Sequence, residues 1–297
     1  MERDSVDEGF VRALVRDRYP ELAGLEIRRV TSGWDNQLWR LGDELVVRLP
    51  MTERAPELLR KEFRWLPELA GQLPLPVPTP RFLNEPDALF PRPWSLVSWV
   101  PGEPADGVEV TDAARSVANL AGFLRALHRP APADAPTDPG RGGSLAAVTD
   151  DFEALLAGVA EAVDVARVRR VWDRAVAAPR WTGPAVWLHA DLHPANVVVA
   201  DGAISGIVDF GDLCAGDPAV DLAAAWKLLP EGSDGDFFDA YGGTDEATVL
   251  RAQGRAVLKA LVLVSVGRAW DRGLPGGQPT WGRAGRQVLE RVFASAA

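Results

Sequence analysis

Apolar positions along the chain change period several times. Near the start, Val11, Leu14 and Val15 fall at helical spacing, which predicts a helix over residues 7–18. Residues 25–30, 36–41 and 44–49 then read as three short strands. Loop 31–35 joins the first two, and Gly42-Asp43 turns the chain into the third, giving an antiparallel meander. Helical spacing returns with Leu58, Leu59, Leu66 and Leu69. Residues 73–80 (LPLPVPTP) alternate proline with apolar residues and read as extended. Residues 81–85 and 94–99 read as two more strands. The pattern predicts a first domain, 1–99, with a five-stranded antiparallel sheet and a helix. Val100-Pro101-Gly102 breaks the last strand and marks its end.

From residue 100 onward the helical period dominates. Val117, Leu120, Ala121, Leu124 and Leu127 share a face, so 111–128 reads as a helix capped by Thr111. His128 closes it, where an imidazole complements the helix dipole. The Pro/Gly-rich segment 129–143 reads as a surface loop. Further helices are expected near 144–158, 163–178, 218–229, 234–241, 245–271 and 280–295. Among them, 185–188, 196–199 and 204–208 read as strands, the last two joined by the hairpin signal Asp201-Gly202. The fold class is α+β, with a second domain, 100–297, that is mostly helical around a β-hairpin.

Composition narrows the function. The chain has 297 residues, 47% apolar and 25% charged, as expected of a soluble protein with room for two domains. No apolar run reaches the ~18 residues of a membrane span. The first residues are acidic and polar, unlike a secretory signal. Cys214, the single cysteine, excludes an internal disulfide and a cysteine-rich zinc site. A cytoplasmic location with no membrane partner is therefore expected. A net charge of −10 lacks the basic footprint of nucleic-acid binding. It either aids solubility or draws a cationic small substrate. Oligomeric state leaves no trace in the sequence.

Candidate chemistry concentrates in residues 187–221, WLHADLHPANVVVADGAISGIVDFGDLCAGDPAVD. Aspartates, histidines and an asparagine sit there among β-branched strands, where polar groups are expensive unless they serve chemistry. With Asp201-Gly202 as a two-residue turn, Asn196 falls opposite Ile207, and Asp209 follows at the open end of the ladder. Asp191 leads into that same end. Asn196 and Asp209 offer oxygen ligands suited to Mg²⁺, beside a carboxylate, Asp191, free to accept a proton. Two other readings stand beside this one: zinc held by His189, Asp191 and His193, or a polar loop satisfied internally. In the first domain, Glu62 shares the leucine face of its helix. It either pairs with Arg48 at the end of the third strand or lies at the rim near Arg60.

His189-x-Asp191-x-x-x-x-Asn196 followed by Asp209-Phe210-Gly211 resembles the catalytic loop and metal-binding motif of protein kinases. HADLHPAN, IVDFGD and GDPAVDLA together resemble the aminoglycoside phosphotransferase family, and GWDNQLWRLGDELVVRLP with KEFRWLPELA is similar to that family's first strands and helix. The resemblance spans nearly the whole chain. It implies a two-lobe protein-kinase-like fold, with Asp191 as catalytic base and Asn196 and Asp209 as Mg²⁺ ligands. It also implies Asp221 as a brace of the catalytic loop, with His189 in a supporting role. On the nucleotide side it implies Ser32 and Gly33 over the phosphates and Glu62 paired with the phosphate-gripping cation. The purine edge would fall to the backbone of Ser98, Trp99 and Val100. One departure stands out: the gripping position holds Arg48 where protein kinases use lysine.

The expected activity is Mg²⁺-dependent transfer of the γ-phosphate of ATP or GTP to a hydroxyl of a small molecule. An antibiotic is the first acceptor class, whether aminoglycoside, macrolide or a nucleoside antibiotic such as capuramycin. A metabolic acceptor (amino alcohol, sugar or fructosamine) is the second. A nucleotide-binding module without catalysis is the reading of another class. Asp212, Trp226, Trp270 and Asp271 are candidate acceptor-lining residues.

Overall fold

A computed structural model of the chain describes residues 6–30 and 33–296. It divides into two compact units. The first takes in the residues up to Gln72, then Pro76–Val100 and Val208–Gly211. The second takes in Leu73–Leu75, Pro101–Ile207 and everything from Asp212 onward.

In the first unit, helix α1 (Glu8–Arg18) starts at Asp7, whose carboxylate accepts the Phe10 N–H at 2.8 Å. Strands β1 (Ile27–Arg29), β2 (Asn36–Leu41) and β3 (Leu45–Pro50) follow, then α2 (Ala55–Ala70), β4 (Pro80–Asn84) and β5 (Trp94–Ser98). The strands form one antiparallel sheet in the order β1-β2-β3-β5-β4. Val11, Leu14 and Val15 of α1 pack with Trp39, Leu41, Val47, Leu49, Trp94 and Leu96. That is why the apolar positions of α1 and of the strands are spaced as they are. Helix α2 lies against β4 and β5.

The second unit opens on a two-residue strand, β6 (Glu103–Pro104), followed by α3 (Ala113–Leu127), α4 (Thr149–Val159) and α5 (Val165–Ala177). Strand β7 (Val186–Leu188) precedes the hairpin β8 (Val197–Ala200) and β9 (Ala203–Ile207), and β10 (Cys214–Gly216) comes after it. The unit ends with α6 (Ala219–Leu222), α7 (Ala224–Leu228), α8 (Asp234–Tyr241), α9 (Glu246–Asp271) and α10 (Trp281–Ser295). β6 pairs with β8, and β10 pairs antiparallel with β7; neither short strand carries enough alternation to be read from sequence.

Three expectations need correction here. The cap of α3 is Asp112, whose carboxylate accepts the Arg115 N–H at 3.0 Å, while the Thr111 N–H is drawn to the Gly202 carbonyl. The helix expected over 218–229 is two helices, α6 and α7, parted at Ala223. The hairpin turn is placed correctly, and Asp201 and Gly202 both take positive φ (49° and 76°), as a type I′ turn requires. Its register, however, starts as expected at Ala200↔Ala203 and Val199↔Ile204, then shifts to Val198↔Gly206 and Val197↔Ile207. Ser205 is the extra residue of a β-bulge, so Ile207 faces Val197 rather than Asn196.

The 26-residue α9 is buried along most of its length. Helix α10 packs closely on it: a Cβ added at Gly285 would stand 2.6 Å from the Ala260 carbonyl oxygen. No helix among the described residues is long and apolar enough to cross a membrane.

Candidate active site

The second unit supplies the loop between β7 and β8. Its entry is strained, because Ala190 takes φ 65°, a region that disfavours a residue with a Cβ. Asp221 holds it there. This fully buried carboxylate accepts the His189 N–H at 2.6 Å and the Ala190 N–H at 2.9 Å. His128 adds a third contact, Nε2 to Asp221 Oδ2 at 3.4 Å, while its Nδ1 meets the Tyr241 hydroxyl at 2.9 Å. His128 thus braces the loop through Asp221, beyond the dipole role read from its position. Burial would raise the Asp221 pKa, but His128, His189 and the amide donors bring it below the ordinary value. A buried charge met by several donors is the arrangement that makes such burial tolerable.

Asp191 stands at the middle of the loop. Its N–H donates to His189 Nδ1 at 3.2 Å, and Asn196 Nδ2 donates to its carbonyl at 3.0 Å and to Oδ2 at 3.4 Å. Asn196 Oδ1 accepts no hydrogen bond among the described residues, so that oxygen remains for a ligand. Asp191 Oδ1 accepts from Arg141 Nη1 at 2.6 Å and Lys259 Nζ at 2.9 Å, and His193 Nε2 lies 3.6 Å from Oδ2. Burial pushes the carboxyl up, yet Lys259, His193 and Arg141 outweigh it and hold it well below the usual carboxylate range. Burial and Lys259 lower His193 to about 4, so its imidazole is neutral at pH 7. The zinc reading finds no support: His189 Nδ1 is already an acceptor, and no three His, Cys, Asp or Glu side chains among the described residues could hold a metal.

The first unit supplies a second set. Arg48 on β3 donates through Nη1 to both carboxylate oxygens of Glu62 on α2, at 2.6 and 2.7 Å. Both side chains are buried, 5% and 2% exposed, so the pair forms and the rim alternative does not; Arg60 turns instead to Glu85. Arg48 Nη2 also lies 3.4 Å from Asp209 Oδ1. Asp209 takes φ 63° and keeps its side chain 45% exposed, leaving carboxylate oxygen open to a ligand. Gly33 is exposed, and Ser32 lies outside the described residues. The loop beyond it is clamped by Arg54, which donates to both oxygens of the buried Asp35. Along 98–100, the Ser98 N–H donates to the Thr79 carbonyl and the Trp99 N–H to the Glu44 carbonyl. The Val100 N–H has no backbone acceptor among the described residues.

The four residues read as acceptor-lining fall in different surroundings. Asp212 is buried and ion-paired at 2.8 Å to Arg141, an arginine it shares with Asp191. Trp226 is 1% exposed and packs on Phe238. Trp270 is 53% exposed near the end of α9, where Asp271 is exposed as well. Three cations near Asp191 escaped sequence reading, Arg141, Lys227 and Lys259, as did Arg255, which holds the loop carrying Arg141. Arg251, Arg255 and Lys259 recur every fourth residue of α9, a charged stripe along one face of a helix buried over most of its middle. That spacing was the available signal.

Residues 26–261 match the phosphotransferase enzyme family (APH). Homoserine kinase of Phenylobacterium zucineum is 30% identical over 154 residues, covering 49% of this chain and 44% of its own length. Aminoglycoside 3'-phosphotransferase of Escherichia coli is 28% identical over 188 residues, 60% of this chain and 66% of its own. The match thus spans less than half of the homoserine kinase and just under two thirds of the aminoglycoside enzyme. Among solved structures, the GDP complex of aminoglycoside 2'-phosphotransferase-IIIa superposes with a TM-score of 0.70 at 18% identity, covering 98% of this chain and 100% of that one. This likeness establishes a kinase-like fold, to which the five-stranded first unit and the helical second unit conform. With most of its length matched, the chain belongs to the phosphotransferase enzyme family.

Proposed function

We propose that this chain transfers the terminal phosphoryl group of ATP or GTP to a hydroxyl of a small molecule, with Mg²⁺ as cofactor. The observation that carries the reading is the Asp191 carboxylate: ionised, fixed by Asn196, and set on a strained loop that Asp221 holds in place. Asp191 accepts the proton of the acceptor hydroxyl as the hydroxyl oxygen bonds to the γ-phosphorus. The bond from phosphorus to the β–γ bridging oxygen breaks, and the nucleoside diphosphate leaves. Asn196 Oδ1 and the Asp209 carboxylate would hold the Mg²⁺, and two hard oxygen donors fit that ion. Bound there, it would neutralise phosphate charge. Arg48, oriented by Glu62, grips phosphate oxygens, and as arginine it stays charged while buried. Backbone at 98–100 receives the purine edge, with the Val100 N–H as the donor left over. Ser32 and Gly33 remain assigned to the phosphates on the sequence resemblance alone.

A nucleotide donor agrees with the GDP held by the solved relative. The relatives' names divide between an amino-acid kinase and an antibiotic enzyme, so they do not choose the acceptor.

The test is diphosphate release from Mg²⁺-ATP and Mg²⁺-GTP with a panel of hydroxyl compounds. Asp191→Asn is expected to lower turnover by roughly two to four orders of magnitude. Nucleotide affinity should largely survive. Near-wild-type turnover in that variant would remove Asp191 from the base role. Nucleotide binding without turnover on any acceptor would instead favour a non-catalytic module.

A further inference from the structure

The chain contains three lysines, Lys61, Lys227 and Lys259. Two of them surround Asp191. Lys259 donates to Asp191 Oδ1 at 2.9 Å, beside Arg141 at 2.6 Å. Lys227, on α7, is 6% exposed and has no hydrogen bond or ion pair among the described residues. It feels the charges of Asp191, Asp221 and Lys259. Arg255, one turn before Lys259, donates to the carbonyls of Gly140 and Gly143 and so ties the loop carrying Arg141 to α9. Asp221 is taken up by loop amides, and Asp217 by Arg251 at 2.7 Å. Asp221 still acts on Lys227, and Asp217 and Asp138 on Arg255, so the cations held directly on Asp191 are Arg141, which Asp212 shares, and Lys259. Two cations on one oxygen of a catalytic carboxylate make a poor resting state for a base, since both compete for the lone pairs it must offer.

They make a good site for a second carboxylate. The group Arg141 and Lys259 now hold is itself a carboxylate, so their geometry suits one. An open cavity of about 610 Å³ adjoins Arg141, with Val148, Leu155, Leu258 and Val262 on its walls. Of its two acids, Asp138 already accepts the Gly140 and Arg141 amides, and Asp151 is exposed. Its volume is in the range of small-molecule pockets, roughly 300–1,000 Å³.

We propose that the acceptor is a hydroxy acid with an apolar body, whose carboxylate takes Arg141 and Lys259 from Asp191 and thereby frees that base for the acceptor's own hydroxyl proton. Lys227, buried on α7 without a direct ion pair among the described residues, adds a further positive charge nearby. A polyamine acceptor would meet like charges here. The inference rests on the phosphotransferase reading above and reverses the expectation, drawn from net charge, of a cationic substrate.

The experiment uses the full chain with Mg²⁺-nucleotide and a library of hydroxy acids, each matched to its methyl ester and to an amine replacing the carboxylate. The acids are expected to exceed their esters and amines in kcat/KM by roughly 10- to 100-fold, the worth of a charged hydrogen bond. Lys259→Gln should raise KM for the acids by a similar factor and bring acid and ester close together, with smaller changes for the ester. Loss of a merely structural lysine would reduce kcat/KM for acid and ester alike. Esters or amines turned over as well as acids would overturn the inference and leave phosphoryl transfer standing. A chain that binds no Mg²⁺-nucleotide would overturn the underlying reading itself.

Discussion

Lys227 is costly where it stands. Burial, then the charge of Lys259, lowers its pKa to about 8. Between about 8 and 10.5 the folded chain binds fewer protons there than the unfolded one, so stability rises with pH across that window and the penalty is full below it. Lys227→Met is therefore expected to stabilise the fold at pH 7 by about 1–3 kcal/mol, read as a higher melting temperature. The gain should close as pH climbs from 8 towards 10.5, which melts of both proteins across pH would record. A variant less stable at pH 7 would mean that the lysine has a structural partner. Side chains of this kind are the least legible in sequence. The spacing of His189, Asp191 and Asn196 puts them on one loop, because that loop is local. Arg141 and Lys259 reach Asp191 from 50 and 68 residues away, and only the folded chain brings them there. Lys227 announces itself only as one charge inside the apolar run AAWKLL.

Elements meet through a few contacts whose removal has separable effects. The Arg48–Glu62 pair links β3 to α2 in a buried setting. Arg48→Met leaves Glu62 buried without its cation and is expected to cost about 3–5 kcal/mol. Adding Glu62→Leu should recover most of that stability, while the nucleotide KM stays raised in both variants. Urea unfolding with nucleotide titration would follow the two effects, and a double variant as unstable as the single would deny the pair its role. At the α9–α10 contact, Gly285→Ala forces a Cβ against the Ala260 carbonyl and should destabilise by about 1–3 kcal/mol, seen as a lower melting temperature. Sequence periodicity located most long elements because one face of each is buried. It missed β6 and β10, which are two and three residues long and show no period. It also missed the bulge at Ser205, since one extra residue in a strand leaves the apolar pattern nearly unchanged.

For the molecule as a whole, net charge and the charges beside Asp191 differ in sign. A chain of net charge −10 sets Arg141 and Lys259 on one aspartate, with the buried Lys227 nearby, and the average conceals it. The order of residues is equally uneven between the units. Val208–Gly211 belongs to the first, while both flanks belong to the second. A fragment ending at Val100 keeps Arg48 and Glu62 but lacks Asp209. Its nucleotide binding, measured by calorimetry, is expected to lose the dependence on Mg²⁺ that the full chain should display. The same excursion bears on inheritance. A single crossover near residue 100 between two related genes would hand a daughter chain its nucleotide half from one parent and the four residues that complete it from the other. Chimeras should therefore function only where the parents agree on 208–211, or where a second, much shorter exchange travels with the first.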